Sequence, residues 1–287
     1  MSRPLVLPRT RGFVLAELLV ALVIAAIIGV ALTQLVISQS RFAALQGGII
    51  QARGGARAAL NVMAMDFRML SDSGLVAAAH DSVTVRVPYT FGVACAQTAG
   101  TTIVSLLPTD AATYNSDTLP SGYAWRDTTG KFVFEQPATV ANSNAPLTWC
   151  TGATPPITTL SATGWPARAV AVSPNDIRTT SGAVVYLYHL VRYAFAPSGQ
   201  LPGRIGLWRT VLSTGRRDEL VAPFDTSASF RFLVGSRLTP RKTPPAVLDS
   251  VRGLRLVLVA ASEQAPEGRT KPETFTITAN VVFQNHP

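Results

Sequence analysis

Residues 1–12 form a short basic opening, with Arg3, Arg9 and Arg11 and no acid. The chain then turns apolar. From Phe13 to Leu32 the twenty residues are apolar apart from Glu17, and Gln34 is the next strongly polar position. At about 1.5 Å per residue a helix of this length spans about 30 Å, the thickness of a hydrocarbon core. Basic residues precede the run and the next one is Arg41, an asymmetry that places the leader in the cytoplasm and the remainder outside. From Arg41 onward the pattern changes to one of threes and fours. Phe42, Leu45, Ile49, Ala52, Ala56, Leu60, Met63, Phe67 and Leu70 fall on one helical stripe, which predicts packing against a globular domain. Arg41, Gln46, Gln51, Arg57, Asn61 and Arg68 occupy the other face. On this pattern Met63, Met65 and Met69 read as core filler. Gly47-Gly48 and Gly54-Gly55 interrupt the segment. Each helical glycine costs up to about 1 kcal/mol, so a bend or local melting is expected there.

After Ser71 the helical period gives way to alternation. Ser82–Pro88 alternates apolar and polar residues, as a half-buried strand does. Further strands are expected at Ala183–Phe195, Ile205–Leu212, Ser227–Val234, Val251–Ala260 and Glu273–Phe283. Turn-rich links such as Pro197-Ser198-Gly199 join them, and no helical pattern intervenes, which favours an antiparallel sheet. Between about residues 94 and 180 the chain is rich in Thr, Ser, Ala, Asn and Pro. That length suits a functional insertion or a small accessory subdomain. Trp125, Trp149 and Trp165 lie within it and are expected to build its core, with a partner-contact surface as the alternative.

Composition narrows the function. Of 287 residues, 47% are hydrophobic and 14% charged, which excludes a disordered chain, and a single long apolar run excludes a multi-span membrane protein. Two cysteines cannot form a four-cysteine zinc site. Outside the membrane Cys95 and Cys150 can pair, and closing a loop of about 55 residues stabilises by roughly 3–4 kcal/mol. Two separate buried thiols are the alternative. His80, His189 and His286 lie far apart, and no H-x-x-x-H, C-x-x-C, Walker or G-x-S-x-G spacing occurs. No enzymatic activity, cofactor or metal is expected. The net charge is +9. Arg216-Arg217 and Arg237/Arg241/Lys242 are the densest basic stretches, and they allow nucleic-acid binding or simply a solvated basic surface.

Glu17 is the informative residue of the apolar run. A buried, unpaired carboxylate costs several kcal/mol or is driven neutral, so it wants a partner unless it lies near enough to the headgroups to reach water. A secretory signal cleaved near Gly29-Val30-Ala31 is a competing reading of the same segment. Its usual apolar core is about 7–15 residues and holds no carboxylate, and both points count against it here.

The stretch Arg11-Gly12-Phe13-Val14-Leu15-Ala16-Glu17-Leu18-Leu19 resembles the class III leader of type IV pilins and type II secretion pseudopilins, with Val14 and Ala16 as mild departures. The resemblance implies cleavage between Gly12 and Phe13 by a prepilin peptidase, then N-methylation of Phe13. It further implies that Glu17 pairs with the Phe13 amine of a neighbouring subunit. Helix N-termini favour a nearby carboxylate, and pairing between subunits relieves two desolvation costs while setting axial register. Met65-Asp66-Phe67-Arg68 is similar to the helix end of PilW-type minor pilins and the minor pseudopilin J, with Phe67 where leucine is usual. The order of strand types that follows is similar as well.

The resemblance therefore implies an α+β, pilin-like chain. Residues 1–12 would be a leader, 13–36 the transmembrane half of a long helix and 37–70 its amphipathic half. Residues 71–287 would form an extracytoplasmic β-rich domain carrying the 94–180 insertion. Implied partners are the prepilin peptidase, other pilins or pseudopilins and an inner-membrane assembly platform. The implied role is to initiate or cap a filament. Losing the leader would leave 22 basic against 16 acidic side chains, a net +6. A membrane-tethered β-rich binding module and a DNA-capturing pilus tip are the alternatives.

Overall fold

The computed structural model describes residues 15–71, 73–98, 101–116, 120–127, 129–135, 139–141, 169–173, 182–265 and 269–284. One helix, α1 (Leu15–Arg68), runs unbroken for 54 residues. At about 1.5 Å per residue it is about 80 Å long. Strands β1 (Leu75–Ala78), β2 (Ser82–Thr98) and β3 (Thr101–Leu106) follow, then a short helix α2 (Pro108–Ser116). Next come β4 (Gly122–Arg126), β5 (Phe132–Glu135), β6 (Thr139–Ala141) and β7 (Ala169–Ser173). The chain continues with β8 (Val184–Pro197), β9 (Ile205–Val211), β10 (Arg216–Phe224), β11 (Ser229–Val234) and β12 (Thr239–Arg241). A 3-10 turn at Leu248–Ser250 leads into β13 (Val251–Ala261), and β14 (Thr274–Val282) closes the order. The architecture is α+β, a long apolar N-terminal helix followed by a large sheet. Every pairing among the described strands is antiparallel.

Two long strands form the spine. β2 and β8 pair from Ser82↔Ala194 to Val93↔Val184. Near the start of β2 they are flanked by β1 and β9, and toward its end by β3 and β4. The described strands of the 94–180 segment extend the same sheet, and Trp125 packs with Tyr114, Tyr123 and Leu187 in a core of their own. The main core lies under α1, where Ala52, Ala56, Ala59, Met63 and Phe67 meet Val85, Val191, Leu207, Leu256 and Leu258. β10 joins β13 through one residue pair, Phe224↔Ala260, and α1 packs on β10, β13 and β14 together. The helix therefore ties the two parts of the sheet to each other.

The structure corrects three expectations about α1. The glycine pairs do not melt it, since helix is continuous through both. Gly48 and Gly55 lie on the sheet side, where an added Cβ would stand 3.0 Å from Ser262 Cβ and from Val221 Cγ1 respectively. Tertiary packing repays the propensity cost by letting backbone approach sheet. Phe42 leaves the buried stripe, at 64% exposed, because the sheet first meets the helix near Leu45. Met65 and Met69 are exposed, and of the three methionines only Met63 fills core.

Gly47 and Gly54 face open space, with nothing within 4 Å of an added Cβ. Gly54→Ala is accordingly expected to stabilise the folded chain by about 0.5–1 kcal/mol. Gly55→Leu, one residue along, should destabilise it by about 1–3 kcal/mol through overpacking against Val221. Denaturant unfolding of the detergent-solubilised chain measures both, and equal effects would contradict this packing.

Candidate functional site

The feature that most demands a function is the first half of α1. Leu15, Leu18, Leu22, Ile24, Ile28, Leu32 and Val36 are each between 52% and 81% exposed, and apolar side chains cover the whole circumference. The segment is long and apolar enough to cross a bilayer, and none of it is buried against the domain. Large bare apolar surface marks a membrane or protein contact. Glu17 sits in the first turn and is the only charged residue from Leu15 to Ser40. Gly12 and Phe13 lie outside the described residues.

The domain grips the other end of the helix. Phe67 is fully buried and meets Tyr193 edge-to-face, with ring centroids 5.3 Å apart. The Tyr193 hydroxyl donates to Asp66 Oδ2, and Arg209 Nε donates to that hydroxyl at 3.1 Å. Arg209 Nη2 reaches Asp66 Oδ2 at 3.5 Å. Burial first, and then the Asp66 charge, push the Tyr193 phenol above its ordinary value, so it remains a neutral donor. Burial alone would lower the Arg209 guanidinium, but Tyr193 and Asp66 outweigh it and the value rises. The last helical residue is tied too, since the Arg68 carbonyl accepts from Gln284 N at 3.3 Å. Further back, Gln51 hydrogen-bonds Glu263 and the Arg53 guanidinium lies 4.7 Å from the Phe275 ring centre.

These contacts make the helix a rod clamped at one end. From Val36 to Gly48, where the sheet is first touched closely, the rise is about 18 Å at 1.5 Å per residue. Tyr193 and Arg209 carry this clamp, and nothing in the local sequence marks them, because they lie 127 and 143 residues from Asp66.

The other expected site residues are dispersed. Cys95 is 3% exposed and disulfide-bonded, and the chain's other cysteine, Cys150, lies outside the described residues, as do Trp149 and Trp165. Arg216 and Arg217 are consecutive residues of a regular strand, so their side chains point to opposite faces of the sheet. Arg216 pairs with Asp218 at 2.9 Å, whereas the Arg217 guanidinium stacks 4.0 Å from the Trp208 ring centre. They do not form one basic surface. His189 is buried in β8 and stacks on Tyr89 with ring centroids 4.0 Å apart. Among the described residues no group of three or more His, Cys, Asp or Glu side chains comes together.

Compared with protein-family models, with curated proteins and with solved structures, the chain matches none.

Proposed function

We propose that this chain is a minor pilin or minor pseudopilin, a structural subunit that helps to initiate or cap a type IV pilus or a type II secretion pseudopilus. The observation that carries the reading is a bare apolar helix half continuous with a half clamped to an antiparallel domain. Such a helix has two stable environments, a bilayer and a bundle of like helices. In the bilayer it holds the subunit in the inner membrane with the sheet domain on the periplasmic side. Withdrawn into a filament, the same surface packs on its neighbours. Glu17 gives this transfer a direction, because its carboxylate is costly in hydrocarbon and is stabilised by an amine at the start of an adjacent helix. The rigid clamp at Asp66, Phe67 and Arg68 means that the domain must follow the helix.

Arg216 and Arg217 alternate along their strand, so the DNA-capturing alternative would rest on the net charge and on Arg237, Arg241 and Lys242 rather than on Arg216 and Arg217 as one patch. The test is the intact mass and N-terminal sequence of the full chain from membranes, with and without a co-expressed prepilin peptidase. The expected product begins at N-methylated Phe13, and only when the peptidase is present. A start at Met1 in both samples, or at Leu32, overturns the reading and leaves a tethered or secreted β-rich domain.

A further inference from the structure

Far from the apolar half of α1, the sheet carries a cleft of about 460 Å³ beside the helix end. Alternation along β8 creates it. Val185 and Leu187 point into the inner core of the 94–180 segment, so Tyr186 and Tyr188 point to the opposite face. Phe91 stands across from Tyr186 in register, with ring centroids 5.9 Å apart. From the β4–β5 hairpin Phe132 meets Tyr186 edge-on at 5.3 Å. Met69 and Val184, 38% and 60% exposed, form the rim. Arg126 is the one cation among the described residues that line the cleft. It is exposed, and its guanidinium carbon lies over the Phe132 ring, 4.7 Å from the ring centre.

Arg126 makes no ion pair among the described residues. The adjacent carboxylate is engaged elsewhere, since Asp127 Oδ1 accepts from Thr129 N, Thr129 Oγ1 and Lys131 N at 2.7–2.9 Å. The exposed guanidinium presents an N–H edge at the mouth of the cleft, beside Phe132. That edge matches a planar carboxylate, which it can bind through two parallel hydrogen bonds. A phosphate dianion would call for further cations, and the rest of the described lining is apolar or aromatic.

We propose that this cleft binds a small apolar carboxylate, a free acid whose hydrocarbon or aryl body lies on Tyr186, Phe91 and Phe132 and whose carboxylate is held by Arg126. A preformed, mostly apolar cleft with one orienting polar group is the usual form of a small-molecule site. The site would let a filament subunit, or any tethered domain, sense an amphipathic acid outside the membrane. It does not depend on α1 being processed or assembled, so its failure and that of the filament reading are separate results.

The test is equilibrium dialysis of labelled 3-phenylpropionate against the full chain in nanodiscs, with empty nanodiscs as the blank. Saturable binding at one site per chain is expected. The neutral isostere 3-phenylpropanamide should bind about tenfold more weakly or worse, the loss expected when a charge-assisted hydrogen bond goes. Arg126→Gln should weaken the acid by a similar factor. Val184→Glu, which sets a carboxylate at the exposed rim for Arg126 to pair with, should do the same without touching the core. Arg217→Gln, on the distant β10, should change nothing. No saturable binding above the blank, equal binding of acid and amide, or unchanged binding by Arg126→Gln would each overturn the assignment.

Discussion

Truncating Phe67 to alanine is expected to destabilise the folded chain by about 3–5 kcal/mol, the range for removing a fully buried aromatic ring. The ring is completely enclosed and braces Tyr193 edge-to-face. Losing it opens a cavity and frees the phenol that bridges Asp66 to Arg209. For a domain of this size the midpoint of thermal unfolding should fall on the order of 6–20 °C. Phe67→Leu should cost only about 1–2 kcal/mol, mainly the aromatic pair and a small void. Asp66→Asn should also cost about 1–2 kcal/mol. It leaves Arg209 half-buried without its counter-charge, although side-chain exposures of 27% and 16% let solvent screen the loss. Thermal unfolding of the three purified variants gives the order. A Phe67→Ala loss no larger than that of Phe67→Leu would show that α1 is not clamped through this ring.

On the proposed reading, Glu17→Gln should impair assembly while sparing everything before it. The substitution keeps the shape of the side chain and removes its charge from an otherwise uncharged stretch running from Leu15 to Ser40. Membrane insertion should be unchanged or improved, because an amide is cheaper than a carboxylate in hydrocarbon. Folding of the sheet domain should be untouched, since Glu17 lies in the bare half of the helix. On the proposed reading, incorporation into sheared filaments, quantified against a co-purified major subunit, should drop by about tenfold or more. That corresponds to losing a charge pair worth upward of about 1.4 kcal/mol. Wild-type incorporation of Glu17→Gln, with processing intact, would refute a role for the carboxylate in subunit pairing.

Patterns with a short period were legible in the chain itself. The apolar run and the stripe at Ala52, Ala56, Met63 and Phe67 are set within single turns of helix, so a window of residues suffices to read them. The strands at Ser82, Val184, Ile205, Ser229, Val251 and Thr274 were likewise visible as alternation. β10 escaped notice because it opens on Arg216-Arg217-Asp218-Glu219 and contains Pro223, a polar start that looks like a loop. The described strands of the 94–180 segment escaped because they are short, and because β3 and β4 pair with β7 and β8, strands far along the chain from them.

By itself the sequence determined an α+β chain with one long apolar helix half, a single carboxylate near its start and a basic stretch before it. These follow from which residues are adjacent, and adjacency needs no fold. The tertiary structure decided what depends on distant residues meeting. It kept α1 helical through its glycines by laying Gly48 against Ser262 and Gly55 against Val221. It joined Asp66 to Tyr193 and Arg209, and it gathered Met69, Phe91, Arg126, Phe132 and Tyr186 around one cleft. It also separated Arg216 from Arg217, neighbours in the chain, onto opposite faces. Strand order and register govern all of these, and they are set by how the whole apolar surface is buried at once rather than by any local window.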